Sequence, residues 1–423
     1  MRTLAILVGG GPAPGINAVI AAATIEARNQ GLRVLGCEQG YRWLMQGQTD
    51  RVVELDIPLV SRIQFEGGSI LGTARANPAR SAEAAHAVAG ALRRLDVSHL
   101  LTIGGDDTAF GAARVASAVG GTLTVAHVPK TIDNDLPLPH DIPTFGFTTA
   151  VDLGKNLVHN LMQDAATTTR WFFLTVMGRH AGHLALGIGG AAGATLTVIP
   201  EEFPAGVTLD ELADILEGAI VKRRASGREH GVAILAEGIL EKLDPDTLEP
   251  VERDAYGNVR LSEIELSRLV KQRVSASLGG RGLDVTIVAL DLGYGLRCAP
   301  ACGFDVQYCR SLGYWATRFL LDGGTEAMVT IQEGRFVPIP FRDLIDAGTG
   351  KIRVRYVDLA SDSYRTLAAY MIRLTPRDLE DPEQVRALAR AGNLSEDAVR
   401  ARFGKVLGRP RAMAAGAQRA NPA

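Results

Sequence analysis

Two phrases, GGDDT at 104–108 and PKTIDND at 129–135, lie 20 residues apart, and each closes a short apolar run. Their residue types are the parts phosphoryl transfer needs. In the first, glycines let the backbone approach phosphate oxygens closely, and the Asp106 carboxylate suits Mg²⁺, a hard cation that prefers oxygen ligands. In the second, Lys130 supplies a point positive charge beside two further carboxylates, Asp133 and Asp135. A metal site, a cation and a base thus recur within a short span.

These phrases need a sheet to present them. The runs over 99–103 and 122–128 read as buried parallel strands, which puts both phrases at the carboxyl edge of one sheet, where open α/β sheets bind ligands. A strand over 3–8, a glycine loop over 9–15, an alanine-rich helix over 16–29 and a strand over 32–37 form a βαβ opening. Helices over 81–95 and 110–119 continue the alternation. It resumes with a helix over 151–164, a strand over 171–177, a helix over 181–192, a strand over 194–199, a helix over 209–225 and a strand over 231–236. The pattern predicts two Rossmann-like, three-layer α/β domains with mostly parallel sheets and a C-terminal helical extension, the active cleft lying between the domains. The expected limits are 1–145 for the first α/β domain and 146–300 for the second. Residues 301–407 return to the first domain and add the extension, and 408–423 form a disordered tail. The polar stretch 241–262 reads as an exposed insertion followed by a helix over 262–277. Further helices are expected near 361–374, 382–391 and 395–403.

The bulk composition narrows the chemistry. At 423 residues, 46% hydrophobic and 22% charged, the chain is ordinary globular protein. A net charge of -2 gives no footprint for nucleic acid, so local Arg and Lys are to be sought as a small anionic site. Cys37, Cys298, Cys302 and Cys309 lack paired CxxC spacing and read as free thiols in a reducing cytoplasm. The opening apolar run is too short for a signal peptide. The uncharged stretch 184–200 is broken by glycines and reads as a helix and a strand rather than a membrane span.

Four other phrases have a functional and a plainer reading. GGGPAPGIN at 9–17 exposes backbone N–H groups before a helix N-terminus, a phosphate-loop arrangement, or is simply a tight strand-to-helix turn. GGSILGTAR at 67–75 offers Arg75 as a planar fork for phosphate oxygens, or as a solvated surface arginine. MGRHAGHLAL at 177–186 follows an apolar strand, so Met177, Gly178 and Arg179 could grip a second substrate. Its His180 and His183 share a helical face without a local carboxylate and are read as non-ligands. AEG at 236–238 places Glu237 at a strand end, suited to sugar hydroxyls or merely exposed.

The ordered recurrence of the glycine loop, GTAR, GGDDT, PKTIDND, MGR and AEG resembles the phosphofructokinase family over roughly residues 3–320. The resemblance implies a two-domain enzyme with the phosphoryl donor on the first domain and fructose 6-phosphate on the second. Gly11 and Arg75 would contact the donor, Asp106 would bind Mg²⁺, and Asp133 would be the proton acceptor. Thr131, Ile132, Asp135, Met177, Gly178, Arg179, Glu237, Tyr294, Gly295, Leu296 and Arg297 match sugar-phosphate contacts. Arg170 matches an arginine that reaches a neighbouring subunit, implying a homodimer or homotetramer in the cytoplasm, with no nucleic-acid or membrane partner.

Two positions choose the donor. ATP-using members typically carry glycine where this chain has Asp107 and Lys130, and the branch using pyrophosphate has Asp and Lys. Asp107 adds bulk and negative charge where an α-phosphate would pass, and Lys130 can stabilise a leaving phosphate. The plainer alternative is a loop salt bridge between the two. The expected reaction is therefore reversible phosphorylation of fructose 6-phosphate by pyrophosphate in glycolysis and gluconeogenesis. The rivals are an ATP-dependent sugar-phosphate kinase of the same family and a non-catalytic regulatory subunit. The chain departs from better-known members at LGYGLRCAP, 292–300: Val288 stands where an arginine is common, and Lys271 and Arg273 are the candidate replacements. Pro12 also replaces a common acidic residue.

Overall fold

The computed structural model describes residues 2–139, 142–244 and 264–407. The expected tail over 408–423 and most of the expected insertion over 241–262 lie outside the described residues. Two compact units form, one from 2–150 with 294–355 and the other from 151–293 with 356–407.

The first unit is built on β1 (Thr3–Val8), β2 (Arg33–Cys37), β3 (Val52–Glu54), β4 (His99–Gly104), β5 (Thr124–Pro129) and two later strands, β10 (Ala327–Gln332) and β11 (Arg335–Pro340). Their order is β11-β10-β5-β4-β1-β2-β3, parallel except for the β3 and β11 edges. The edge strands β3 and β11 and the inner strand β10 are additions to the predicted pattern. Alternation along β1 sends Leu4, Ile6 and Val8 into one apolar layer and Ala5 and Leu7 into the other, so helices must cover both faces. The helix Ile16–Asn29 packs with Gly303–Leu321 on the first face, where Gly313 lets the backbones close up: a Cβ there would stand 2.5 Å from the Val19 carbonyl oxygen.

The second unit holds β6 (Trp171–Val176), β7 (Leu196–Val198), β8 (Gly231–Ala236) and β9 (Ile287–Leu292), all parallel in the order β7-β8-β6-β9. The stretch 184–200 becomes the helix His183–Ala192 followed by β7. Helices Asp362–Tyr370, Pro376–Glu380, Pro382–Gly392 and Glu396–Leu407 form the C-terminal region. Val385, Leu388, Val399 and Phe403 share a buried cluster with Val221 of the helix Leu209–Ala225. Arg402 pairs with Asp214 at 2.6 Å and Glu217 at 3.0 Å on that helix, fixing the extension to the second unit. With one sheet antiparallel only at its edges and the other parallel throughout, this is an α/β fold with mostly parallel strands and a helical C-terminal region. No described helix is long and apolar enough to cross a membrane.

Candidate active site

Register aligns the chemistry of the first unit. Gly104 pairs with Pro129 across β4 and β5, and Val8 with Ile103 across β1 and β4, so the loops after all three strands leave from one edge. Close packing there requires glycine. A Cβ on Gly9 would stand 2.3 Å from Thr108 Oγ1, and one on Gly104 would stand 2.3 Å from Thr108 Cβ. The Gly9 N–H donates to the Ile103 carbonyl at 2.9 Å and the Gly10 N–H to the Ala74 carbonyl at 3.0 Å, which brings exposed Arg75 beside the glycine loop.

The helix following β4 begins at Asp106, earlier than the predicted 110. Asp106 and Asp107 therefore stand in its first turn, where the helix dipole favours carboxylates, rather than on a loop. Asp107 Oδ1 accepts from Asn77 Nδ2 at 3.0 Å. Lys130, only 4% exposed, instead donates its Nζ to the Gly11 carbonyl. Among the described residues no ion pair joins Asp107 to Lys130, so the loop-salt-bridge alternative has no support in this geometry.

Burial pulls the Lys130 amine down to about 8; Asp133 holds it up, Arg297 pushes it down, and Asp106 and Asp135 hold it up. One cation thus lies within electrostatic reach of three carboxylates, which makes it a sensitive charge near neutral pH. His127, buried in the strand before it, is held at about 3 by burial, so it stays neutral. Its Nε2 is 3.0 Å from the Gly104 carbonyl and its Nδ1 2.8 Å from Thr102 Oγ1. Nε2 must carry the hydrogen to bond that carbonyl. The Gly104 carbonyl also accepts the Lys130 N–H at 2.8 Å, so one oxygen ties both loops together.

Beyond Lys130 the chain turns sharply. The Thr131 hydroxyl accepts from the Asp133 N–H at 3.0 Å, and Asn134 takes a φ of 57° between the two aspartates. Thr144 secures the turn, donating its hydroxyl to the Thr131 carbonyl at 2.6 Å and its N–H to Asn134 Oδ1 at 2.9 Å. Ile132 is buried and anchors it. Tyr294, Gly295 and Leu296 make a short 3-10 turn, with Tyr294 80% exposed and the Arg297 guanidinium 4.8 Å from its ring centre. A Cβ on Gly11 would meet Arg297 Cζ at 3.6 Å, so Arg297 lies against the first glycine loop, beside the Lys130 charge.

The second unit gathers another set. Val176 pairs with both Ala236 and Leu292, which aligns the loops that begin at Met177, Glu237 and Gly293. Gly178 has a φ of 145°, and its N–H donates to Glu237 Oε2 at 3.1 Å. A Cβ on Gly238 would stand 3.0 Å from the Arg179 carbonyl, so the AEG and MGR phrases are packed backbone to backbone. Glu201 accepts the Gly182 N–H at 2.9 Å, and burial raises its carboxyl. His180 Nδ1 lies 3.0 Å from Glu241 Oε2, a carboxylate the local sequence did not offer. Arg273 bonds Asp210 on the helix Leu209–Ala225, so it is already engaged as a candidate replacement cation. Arg170 precedes β6 and Met177 follows it, which puts them at opposite ends of the strand, about 20 Å apart at roughly 3.3 Å per residue.

The donor set suits Mg²⁺. Among the described residues no three His, Cys, Asp or Glu side chains form a closed metal cage. Mg²⁺ ordinarily takes one or two protein carboxylates and completes its shell with water and phosphate oxygens, and Asp106 beside the glycine loops can supply such a carboxylate. Sequence reading missed Asn77, His127 and Glu201. Only His127, a polar residue inside an apolar strand, left a visible signal.

Residues 3–320 match the phosphofructokinase family. The chain is 52% identical over 388 residues to the pyrophosphate–fructose 6-phosphate 1-phosphotransferase of Thermotoga maritima, covering 90% of this chain and 93% of that protein. It is 48% identical to the protein of the same name from Naegleria fowleri, covering 93% of each chain. In fold it is similar to the solved pyrophosphate-dependent phosphofructokinase of Nitrosospira multiformis, with a TM-score of 0.67 and 19% identity over 88% of this chain and 92% of that one. By sequence match, close relatives and fold together, this chain belongs to the phosphofructokinase family.

Proposed function

We propose that this protein transfers a phosphoryl group reversibly between pyrophosphate and the 1-hydroxyl of fructose 6-phosphate, yielding fructose 1,6-bisphosphate and phosphate. One observation carries the donor assignment: a buried Lys130 and a first-turn Asp107 stand on the same sheet edge as Asp133, each engaged separately. The names of the relatives at 52% and 48% identity support it.

The Gly11 backbone and Arg75 take the diphosphate, and Asp107, oriented by Asn77, occupies the path of a nucleotide α-phosphate. Asp106 would hold Mg²⁺, which when bound would offset charge on the diphosphate. Met177, Gly178, Arg179 and Glu237 take the sugar phosphate, with Thr131, Ile132 and Asp135 completing its surroundings. Tyr294, Gly295, Leu296 and Arg297 contribute from the first unit, Arg297 lying beside the donor loop. Asp133 accepts the proton of the sugar hydroxyl as its oxygen bonds to phosphorus. The bridging P–O bond breaks, and Lys130 stabilises the departing phosphate. Because pyrophosphate and a sugar phosphate ester are closer in energy than ATP and such an ester, the reaction runs in both directions.

Arg170 stands at the opposite end of β6 from Met177, which supports the reading that it serves a neighbouring subunit's site in a homodimer or homotetramer. Four free thiols fit a reducing cytoplasm. A coupled assay with Mg²⁺ and fructose 6-phosphate, using pyrophosphate or ATP as donor, tests the reading. Turnover with pyrophosphate is expected, and turnover with ATP alone would overturn it.

A further inference from the structure

The chain beyond the family-matched region carries a residue aimed at the reactive loop. Arg355, the last residue of the first unit, is 7% exposed. Its guanidinium donates from Nε and Nη2 to the Asn134 carbonyl at 3.0 and 2.9 Å, and from Nη2 to Asn134 Oδ1. Nη1 donates to the carbonyls of Leu138 at 3.3 Å, Pro139 at 3.0 Å and Ile142 at 2.8 Å. The Arg355 N–H adds a bond to the Asp135 carbonyl at 2.8 Å.

The stretch 134–139 has no helix or strand to satisfy its backbone, yet buried carbonyls must find donors. One planar fork with five N–H groups supplies them, a geometry lysine cannot copy. It also grips the one residue between Asp133 and Asp135, Asn134, whose left-handed φ of 57° persists only if its surroundings fix it. These hydrogen bonds run from one buried guanidinium to the irregular segment that begins at Asn134, so Arg355 ties the end of the Thr131–Asp135 turn to the stretch that follows it.

We propose that Arg355 is a positioning residue that fixes the Thr131–Asp135 turn and so aims the Asp133 carboxylate at the sugar hydroxyl. The proposal rests on the phosphoryl-transfer reading for what Asp133 does, but not for what Arg355 holds. A misplacement near 1 Å at a reacting group costs about 100-fold in rate.

The test uses the full chain with Arg355→Lys, which keeps the charge, and Arg355→Ala with and without millimolar guanidinium. Hydrogen–deuterium exchange over 131–139 and steady-state kinetics with pyrophosphate are read together. Both variants should lower kcat by about 10- to 100-fold, with KM for either substrate changed less than about threefold. Exchange should rise in 131–139 with the β1 and β4 segments unchanged, and guanidinium should restore part of the alanine variant's kcat. Unchanged exchange in that turn overturns the proposal, as does wild-type kcat in a variant whose turn has loosened. If Arg355→Ala does not fold, Arg355→Lys carries both readouts. Should the wild type prove inactive with pyrophosphate, the functional reading falls, while exchange alone still decides whether Arg355 holds the turn.

Discussion

The two units hold their loops by opposite means. In the first, one cation is buried and surrounded: Lys130 is 4% exposed within reach of the more accessible Asp106, Asp133 and Asp135, and neutral His127 props the carbonyl beneath it. In the second, carboxylates are spent on backbone N–H groups, with Glu237 holding Gly178 and Glu201 holding Gly182. The difference follows from the tasks proposed for them. A group that must change protonation or meet developing charge gains from a low-dielectric, fixed setting. A loop that must fit a sugar phosphate needs its own N–H groups oriented, and a charged acceptor does that more firmly than a neutral one.

The largest break in this comparison should come from the proposed base. Asp133→Asn keeps shape and the Thr131 contact to its N–H, so fructose 6-phosphate should still bind. Turnover should fall by roughly 10²–10⁴-fold. Single-turnover kinetics showing a loss under about tenfold would remove Asp133 from proton transfer.

Next in size is the donor gate. Lys130→Gly should slow pyrophosphate turnover about 10²–10³-fold, as for loss of one charged stabiliser of the transition state. Asp107→Gly should open modest ATP use, and the double variant should shift the donor ratio further because neighbouring sites couple. The same lysine sets a pH limit. Its amine, ordinarily near 10.5, sits at about 8 in the folded protein, so the active charged form is lost as pH rises through 8. The basic limb of kcat/KM with pyrophosphate should therefore fall near pH 8 and move or vanish in Lys130→Arg. A flat profile to pH 10 would sink that assignment. In the unfolded chain the amine keeps its proton to higher pH, so this group's penalty on folding is full below about 8 and is relieved between 8 and 10.5.

How far the sequence carried this account depended on range. Strand–helix alternation and glycine-rich strand ends are local signals, and strands β1, β2 and β4 to β8 were legible from them, while β3, β9, β10 and β11 were not. The start of the helix at Asp106 was misplaced because GGDDT has the composition of a loop, while the dipole and packing against Gly9 and Gly104 recruit it into the first turn. Strand β10 escaped because its pairing with β5 joins residues about 200 apart in the chain, and β11 depends on β10 as its local hairpin partner. Asn77 and Arg355 could not be seen at all, since a polar residue in an irregular stretch shows its partner only after folding. The bond from Arg273, a candidate for its place on the preceding predicted helix, to Asp210 was hidden for the same reason.

The smallest effect concerns assembly and the role proposed for Arg170 in the second unit. Arg170 stands at the far end of β6 from Met177, and among the described residues its guanidinium makes one ion pair, to Asp164 at 3.8 Å at a partly exposed site. If its guanidinium completes a neighbour's sugar-phosphate site, Arg170→Ala should raise KM for fructose 6-phosphate by about tenfold, the worth of one charged hydrogen bond, with little change in kcat. Light scattering at assay concentration should show a dimer or larger. Mixing then distinguishes a trans role from a cis one. In a hybrid of Asp133→Asn and Arg170→Ala subunits, a trans arrangement rebuilds one site with both an aspartate and an arginine, and loads both defects into the other. A cis arrangement rebuilds none. Random re-association of equal amounts into dimers should thus return about a quarter of sites to the wild-type KM. Recovery no greater than the sum of the separate variants, or a fully active monomer, would place Arg170 outside any neighbour's site.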